Sequence, residues 1–283
     1  MAQIVIGIGQ TCFSNVAIRE NAMKISQIIE EATTLGASLV IFPELCLTGY
    51  DIEYIRENLQ SCIVVLEKSD NSSFIELTNY LDDICQVSKQ KKCAVIVGSP
   101  VKYPDSDKIF NAAIIIDRTG NIVGVYSKIF LWKDERTIFT AGNELSILTL
   151  DSFRIGIGIC YDAGFPEFVR EYKKRGIDLV AFLSAFSNGS MKSRYDIYHP
   201  ARALENGVGL AVANFVGHSD IHEFYGESRF YSPCGDLLLN AGLKEGAYVC
   251  TYTMEEIRDV GESLPYIADL GAADFLKVVE VHA

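Results

Sequence analysis

The sequence predicts an α/β fold made of two mixed β-sheets with helices on their outer faces. Three observations carry this expectation. The chain opens on a strand–helix–strand unit, which implies parallel neighbours joined by a helical crossover. Residues 110–128 read as two β-rich runs around a turn, the signal of an antiparallel hairpin. From residue 154 onward strands and helices alternate again. Mixed pairings of this kind do not fit a plain doubly wound sheet, whereas two mixed sheets with outer helices satisfy them. No linker, low-complexity stretch or internal repeat interrupts the 283 residues. A single domain over 1–283 is therefore expected, with 254–283 a weakly patterned tail that packs on the body or reaches a second subunit.

Gln3–Gly9 is an apolar run closed by glycine, a buried strand. Ile18, Ala22, Ile25, Ile29 and Ala32 recur at steps of four and three and lay an apolar stripe along one helix face. Leu35-Gly36 closes that helix, and Ser38–Phe42 (SLVIF) is the next strand. Residues 73–90 read as a helix with Phe74, Leu77, Leu81 and Ile84 in phase, followed by a strand at Lys92–Val97. The hairpin pairs FNAAIIID with IVGVYSK across Arg118-Thr119-Gly120-Asn121. Arg154–Cys160 is a strand, Pro166–Lys174 a short helix opened by its proline, and Asp178–Ser184 another strand. A helix near 193–206, strands at 208–214 and 225–232, a turn at Ser232–Asp236 and a strand at 246–253 follow.

With 25 Lys and Arg against 37 Asp and Glu, the formal charge is −12, which makes nucleic acid and anionic membrane surfaces poor partners. The eight cysteines contain no CxxC spacing, so neither a zinc cage nor a thioredoxin-like motif is expected. Several, such as Cys93 and Cys250, sit in apolar runs and read as free buried thiols. MAQIVIGIGQ has no basic leader and no long apolar stretch, and no run approaches the ~20 apolar residues of a membrane span. A cytoplasmic setting is the expectation.

The run IGIGIC stops at Cys160 and breaks directly into YDAGFPE. Either Cys160 is the last small apolar residue of a core strand, or the strand holds a thiol at its tip. Gly156 and Gly158 let other backbone approach closely, and the amides of the turn that follows can face an anion. A free thiol is only a few per cent thiolate at neutral pH, so a nucleophile needs a base or a cation. Histidine is the usual base, yet His199, His218, His222 and His282 show no arrangement that pairs with Cys160. Two other strand tips carry charge: Glu44 lies just past Phe42, and Lys128 follows the strand that begins at Ile122. A charge there costs desolvation unless it is paired. Taken singly, each reads as a solvated loop charge.

Taken together, FPELCLTGY, VYSKIFLW with DERTIFTAGNE, and GIGICYDAGFPE strongly resemble the carbon–nitrogen hydrolase (nitrilase) superfamily, as do SAFSNG and ARALENGVGLAVAN. The motifs run in the family's order over nearly the whole chain. The resemblance implies a four-layer αββα sandwich and a triad of Glu44, Lys128 and Cys160, with Glu135 holding the lysine in place. Arg202, Glu205 and Asn206 match a family segment read as structural. In the implied mechanism Glu44 takes the Cys160 proton and the sulfur attacks an amide carbonyl. Lys128 and the Tyr161 backbone N–H stabilise the oxyanion, and water hydrolyses the resulting thioester. No metal or organic cofactor is required. Tyr50, Trp132, Phe139, Tyr161, Phe165 and Phe186 lie near the motifs and are candidates to line a substrate pocket, against ordinary core packing as the competing reading.

Cys-Tyr-Asp and SAF resemble the amidase and carbamoyl-hydrolase branches more than true nitrilases. A small amide is thus the expected substrate, with an N-carbamoyl amine or a nitrile as alternatives. A catalytically silent scaffold of the same fold, and an enzyme that passes the acyl group to an amine, are the competing functions. The resemblance also implies a homodimer or larger homo-oligomer. The arginine pair of amidase-type tails is missing: Arg258 and Tyr266–Asp269 echo it only in part.

Overall fold

A computed structural model describes residues 2–13, 18–69, 73–189, 191–219 and 221–271. The first half runs β1 (Gln3–Gln10), α1 (Ile18–Thr34), β2 (Leu39–Ile41), α2 (Ile52–Glu57), α3 (Leu59–Cys62), β3 (Val64–Lys68), β4 (Phe74–Glu76), α4 (Asp82–Lys91), β5 (Ala94–Lys102), β6 (Ile109–Ile116) and β7 (Ile122–Ser127). The second runs β8 (Ile147–Leu150), β9 (Phe153–Ile159), α5 (Pro166–Lys174), β10 (Leu179–Ser184), α6 (Lys192–Leu204), β11 (Gly209–Asn214), β12 (Val216–His218), β13 (Glu223–Tyr225), β14 (Arg229–Tyr231), β15 (Leu237–Asn240), β16 (Gly246–Thr253), α7 (Met254–Ser263) and α8 (Tyr266–Leu270).

The strands form an eight-stranded sheet in the order β16-β1-β2-β5-β3-β4-β7-β6, a six-stranded sheet in the order β15-β14-β11-β10-β9-β8, and the small pair β12-β13. Both large sheets are mixed. β1, β2 and β5 run parallel while β16 and β6 pair antiparallel. In the other sheet β9, β10 and β11 run parallel, and β8 and β14 close them antiparallel. The chain thus has an α/β fold with mixed sheets and helices.

Period-two alternation decides which face each residue covers. Leu39 and Ile41 join a cluster with Ile155, Ile157 and Phe182 of the other sheet. Val40 and Phe42 point the opposite way, into a cluster with Ile25, Ile29 and Ala32 of α1. The helical stripe read from sequence is this buried face. A fully buried Ile side chain is worth about 1.5–3 kcal/mol, so packing rather than propensity holds α1 on the sheet.

Three expectations change. Residues 73–90 are not one helix. Phe74–Glu76 pairs with β3 as a strand, and the helix starts at Asp82. Glu76 explains the break, because its carboxylate accepts from Thr78 Oγ1 at 2.7 Å, Tyr80 N at 2.6 Å and Leu81 N at 2.9 Å. It satisfies amide groups just ahead of the helix, and Asn79 turns there at φ 58°. The strand expected over 225–232 is two strands in different sheets, separated by Gly226 at φ 62° and Glu227 at φ 51°. In the tail, α7 is a capped helix: Thr253 Oγ1 accepts from Glu256 N, and Ile257 is buried. His282 and the end of the tail lie outside the described residues. Cys93 is buried as expected, whereas Cys250 is only half-buried. Among the described residues no helix is long and apolar enough to cross a membrane.

Candidate active site

Three turns at the ends of β2, β7 and β9 bring the charged residues and the thiol together. After β2 the chain bends through Pro43, Glu44 and Leu45, the last at φ 50°. The bend lies across β5, with Phe42 N donating to Ile96 O at 3.0 Å and Leu47 N to Gly98 O at 3.1 Å. A Cβ at Gly98 would stand 2.4 Å from Leu45 N, so only glycine lets the Glu44 turn sit this close. Beyond β7, Lys128 N donates to Asn111 O at 2.8 Å, and Gly142 N donates to Lys128 O at 2.8 Å. Cys160 follows β9 at φ 45° and opens a 3-10 turn over Cys160–Gly164. A non-glycine residue in this left-handed region costs on the order of 1–2 kcal/mol, a strain that recurs at functional sites.

Asp162 fastens two of these turns to each other. Its Oδ1 accepts from Phe130 N at 2.9 Å, and its Oδ2 accepts from Ile159 N at 2.9 Å and from Tyr126 Oη at 2.7 Å. Phe130 is two residues past Lys128, and Ile159 immediately precedes Cys160. One buried carboxylate therefore sets the lysine turn against the cysteine turn. Burial pushes that carboxyl up to about 6, against the opposing pull of Lys128 and the three donors.

Glu44, Lys128 and Glu135 form a fully buried charge cluster. Lys128 Nζ donates to Glu44 Oε1 at 2.5 Å and to Glu135 Oε1 at 2.7 Å. Asn111 Nδ2 adds a bond to Glu44 Oε1 at 2.7 Å, while Tyr50 Oη and Trp132 N donate to Glu135 at 2.8 and 2.9 Å. These extra donors are what make a buried ion cluster tolerable. Glu44 Oε2 is buried and has no hydrogen-bond partner among the described residues. Burial raises the Glu44 carboxyl to about 7, opposed chiefly by Lys128. Burial would push the Lys128 ammonium down, but Glu135 and Glu44 outweigh it and hold the lysine charged.

The Cys160 thiol feels the same three charges. Burial and the Glu44 carboxylate raise its pKa well above the ordinary thiol value, while Lys128 and a backbone hydrogen bond from Ala185 act the other way. The thiol thus keeps its proton in the resting site. Cys160 opens onto a cavity of about 80 Å³ walled by Tyr50, Trp132, Tyr161 and Phe186, with Arg194 and His222 among its other lining residues. An outer cavity of about 340 Å³ shares Tyr50, Trp132 and His222 with it.

The family model described as carbon-nitrogen hydrolase matches residues 5–261. The chain belongs to the carbon–nitrogen hydrolase family. This hydrolase is 30% identical to a 2-oxoglutaramate amidase of Bacillus subtilis over 253 residues, covering 89% of this chain and 91% of the relative. It is 24% identical to the human omega-amidase NIT2 over 274 residues, covering 91% and 93%. An amidase from Nesterenkonia sp. AN1, in a structure showing Michael addition of acrylamide at its active-site cysteine, superposes with a TM-score of 0.77 at 25% identity over 93% of this chain and 98% of that one.

Within the hydrolase, Glu44, Lys128, Glu135 and Cys160 converge, and Tyr50, Trp132, Tyr161 and Phe186 line the cavity. Two candidates do not. Phe139 is buried among Leu45, Ile55 and Leu131, and Phe165 stacks on Phe130 at 3.6 Å behind the edge of Tyr161. They pack the walls from behind. Asn111, Asp162 and Arg194 escaped the sequence reading. Asn111 alone left a signal: a polar residue inside the buried run FNAAIII needs a partner. Among the described residues no group of His, Cys, Asp and Glu is arranged to hold a metal.

Asp162 gives a first prediction. Asparagine cannot replace it, because both carboxylate oxygens face backbone donors and one would meet an NH₂ group instead. Asp162→Asn is expected to cost about 2–3 kcal/mol and lower Tm by roughly 4–12 °C. A melting temperature equal to the parent's would show that Asp162 does not tie the two turns.

Proposed function

We propose that this protein hydrolyses the C–N bond of a small amide through a thioester on Cys160. The observation that carries the reading is the buried Glu44–Lys128–Glu135 cluster beside the thiol, with Glu44 Oε2 uncommitted. In the first half-reaction Glu44 accepts the thiol proton as the sulfur bonds to the carbonyl carbon, giving a tetrahedral oxyanion. An ammonium group has three donors, and two of those on Lys128 are engaged by Glu44 and Glu135. The third, with the Tyr161 backbone N–H, is free to meet the oxyanion. Collapse breaks the C–N bond, and Glu44 returns its proton to the departing ammonia or amine. In the second half Glu44 takes a proton from water, hydroxide adds to the thioester, and the carbon–sulfur bond breaks to release the acid and restore the thiol.

The raised thiol pKa fits base-assisted attack rather than a standing thiolate. The amide class is supported by the amidase names of the relatives. The two large sheets, sharing one core and each carrying helices outside it, fit the four-layer αββα arrangement within one domain.

The pH profile tests the base. Glu44 must be ionised to accept a proton, and its carboxyl stands near 7 in the free protein. A panel of short amides, carbamoyl amines and nitriles is assayed for ammonia release. On the best substrate kcat/KM should fall tenfold per pH unit below about 7 and level off above it. A flat profile down to pH 5 would remove Glu44 from the role.

A further inference from the structure

The inner cavity that holds the Cys160 thiol and the larger outer cavity share Tyr50, Trp132 and His222 as walls, so the two meet at a neck. Three separate stretches of chain build that neck: the turn before α2, the residue ahead of the 3-10 turn at Lys133–Thr137, and the β12–β13 hairpin. Tyr50 and His222 pack against each other there, with ring centroids 5.9 Å apart. The two chambers differ in what faces them. Tyr161, Ala185, Phe186 and Ser187 line the inner one and not the outer. Glu135, Ile52, Thr137 and Ile221 line the outer one and not the inner. At about 340 Å³ the outer chamber reaches the roughly 300–1,000 Å³ at which pockets enclose small organic ligands, and at about 80 Å³ the inner one does not. Hydrolysis of a small primary amide at Cys160 gives the outer chamber nothing to hold.

We propose that the outer cavity is a leaving-group subsite, so that the protein cleaves N-substituted amides whose amine half extends through the neck while a short acyl chain stays beside Cys160. The inference rests on the amide-hydrolase reading and adds which side of the scissile bond the second chamber serves. The direction follows from the proton donor. The departing nitrogen takes its proton from Glu44 and so lies within hydrogen-bond reach of that carboxyl. Glu44 and Glu135 bind the same Lys128 ammonium, at 2.5 and 2.7 Å, and of the two chambers Glu135 faces the outer. The oxyanion meets the backbone N–H of Tyr161, a residue of the inner chamber. With nitrogen and oxygen so placed, the substituent on nitrogen points to the neck, and the acyl chain is left with the space inside. The outer walls mix apolar Ile52 and Ile221 with the Thr137 hydroxyl and the His222 ring. Of the carboxylates there, Asp51 caps α2 through Tyr54 N at 2.9 Å and Glu53 bridges Arg56 at 3.0 Å. Such a lining suits a short amine that carries a neutral hydrogen-bonding group. Holding that amine half orients the carbonyl over the sulfur.

Two isomers test the direction, N-(2-hydroxyethyl)butanamide and 6-hydroxyhexanamide. They contain the same atoms and one hydroxyl each, with the extra arm on nitrogen in the first and on the acyl chain in the second. Release of the carboxylic acid is followed by chromatography, because the first isomer yields 2-aminoethanol and no ammonia. The parent should cleave the N-substituted isomer with kcat/KM about tenfold higher or more. Equal rates, or a preference for 6-hydroxyhexanamide, would overturn the proposal, as would cleavage of butanamide without cleavage of its N-substituted form. Thr137→Phe and Ile221→Trp narrow the outer cavity from two different elements, the 3-10 turn and the hairpin. Each should lower the ratio of the two kcat/KM values by about fivefold or more, chiefly by raising KM for the N-substituted isomer. That ratio does not depend on how much of a variant folds, since both substrates meet the same active molecules. A ratio unchanged in either variant would show that the amine half lies elsewhere. Failure of the parent to cleave butanamide or either isomer would bring down the hydrolase reading, and the subsite with it.

Discussion

Cys160→Ala leaves no measurable amide hydrolysis and a protein that melts within about 4 °C of the parent. The loss expected is on the order of 10⁴-fold or more, because no thioester can form and the remaining groups act only as a unit with the nucleophile. The stability half follows from what the thiol does in the resting fold. It is neutral there, since burial and Glu44 hold its proton on, so its removal strands no charge. The turn that carries it is fixed from outside by Asp162, which contacts Ile159 and Phe130 and not the cysteine side chain. The left-handed backbone at φ 45° is as strained with alanine as with cysteine. Activity and melting measured on one preparation separate this from the core-cysteine reading, in which the fold would weaken and hydrolysis would never have been present. Labelling adds a check. The seven other cysteines are free thiols as well, and Cys46, Cys85 and Cys93 have pKa values pushed up to about 12 by burial. The Cys160 thiol is raised as well, so its advantage over these three lies in Glu44 as proton acceptor and Lys128 as oxyanion partner, and an acyl-type reagent should mark it much faster than them.

The charged strand tips were legible because each is an anomaly of local chemistry. Glu44, Lys128 and Cys160 close apolar runs at which an unpaired polar group would be costly, and their motifs occur in a recognisable order. The α1 stripe and the parallel strands were legible for the simpler reason that apolar period follows directly from burial. What escaped depends on partners far away in the chain. The bond from Asn111 to Glu44 spans 67 residues and that from Tyr126 to Asp162 spans 36. No spacing rule announces either. Arg194 sits in KSRYD, which reads as a solvated helix start, and only the rings of Trp132 and Phe186 around it reveal otherwise. The misread segment 73–90 has the same cause. Phe74, Leu77 and Leu81 are in helical phase, but the pairing with β3 and the capping carboxylate of Glu76 favour a strand and a turn. Tertiary pairing overrode local period there.

Lys128→Met removes the cation that, among the described residues, pairs with both Glu44 and Glu135. Both carboxylates are fully buried, and the ammonium bonds each of them directly. Breaking a buried ion pair from one side typically costs about 3–5 kcal/mol, so Lys128→Met is expected to be the most destabilising single change at this site. Turnover should fall by at least the 10²–10³-fold of a lost oxyanion donor, and further because Glu44 becomes a poorer carboxylate. The pH dependence carries the charge argument. Glu44 in the parent is already raised to about 7, above its unfolded value of 4.5. A raised group stabilises the fold below its unfolded pKa, and that stability is lost as pH rises through the folded pKa. In the parent this loss ends near 7, whereas without Lys128 the folded pKa moves higher and the loss continues. The stability gap between parent and variant should therefore widen between pH 7 and 9 in denaturant titrations. A gap that stays constant over that range would mean that Lys128 contributes packing and not charge, and the buried cluster would no longer explain the site.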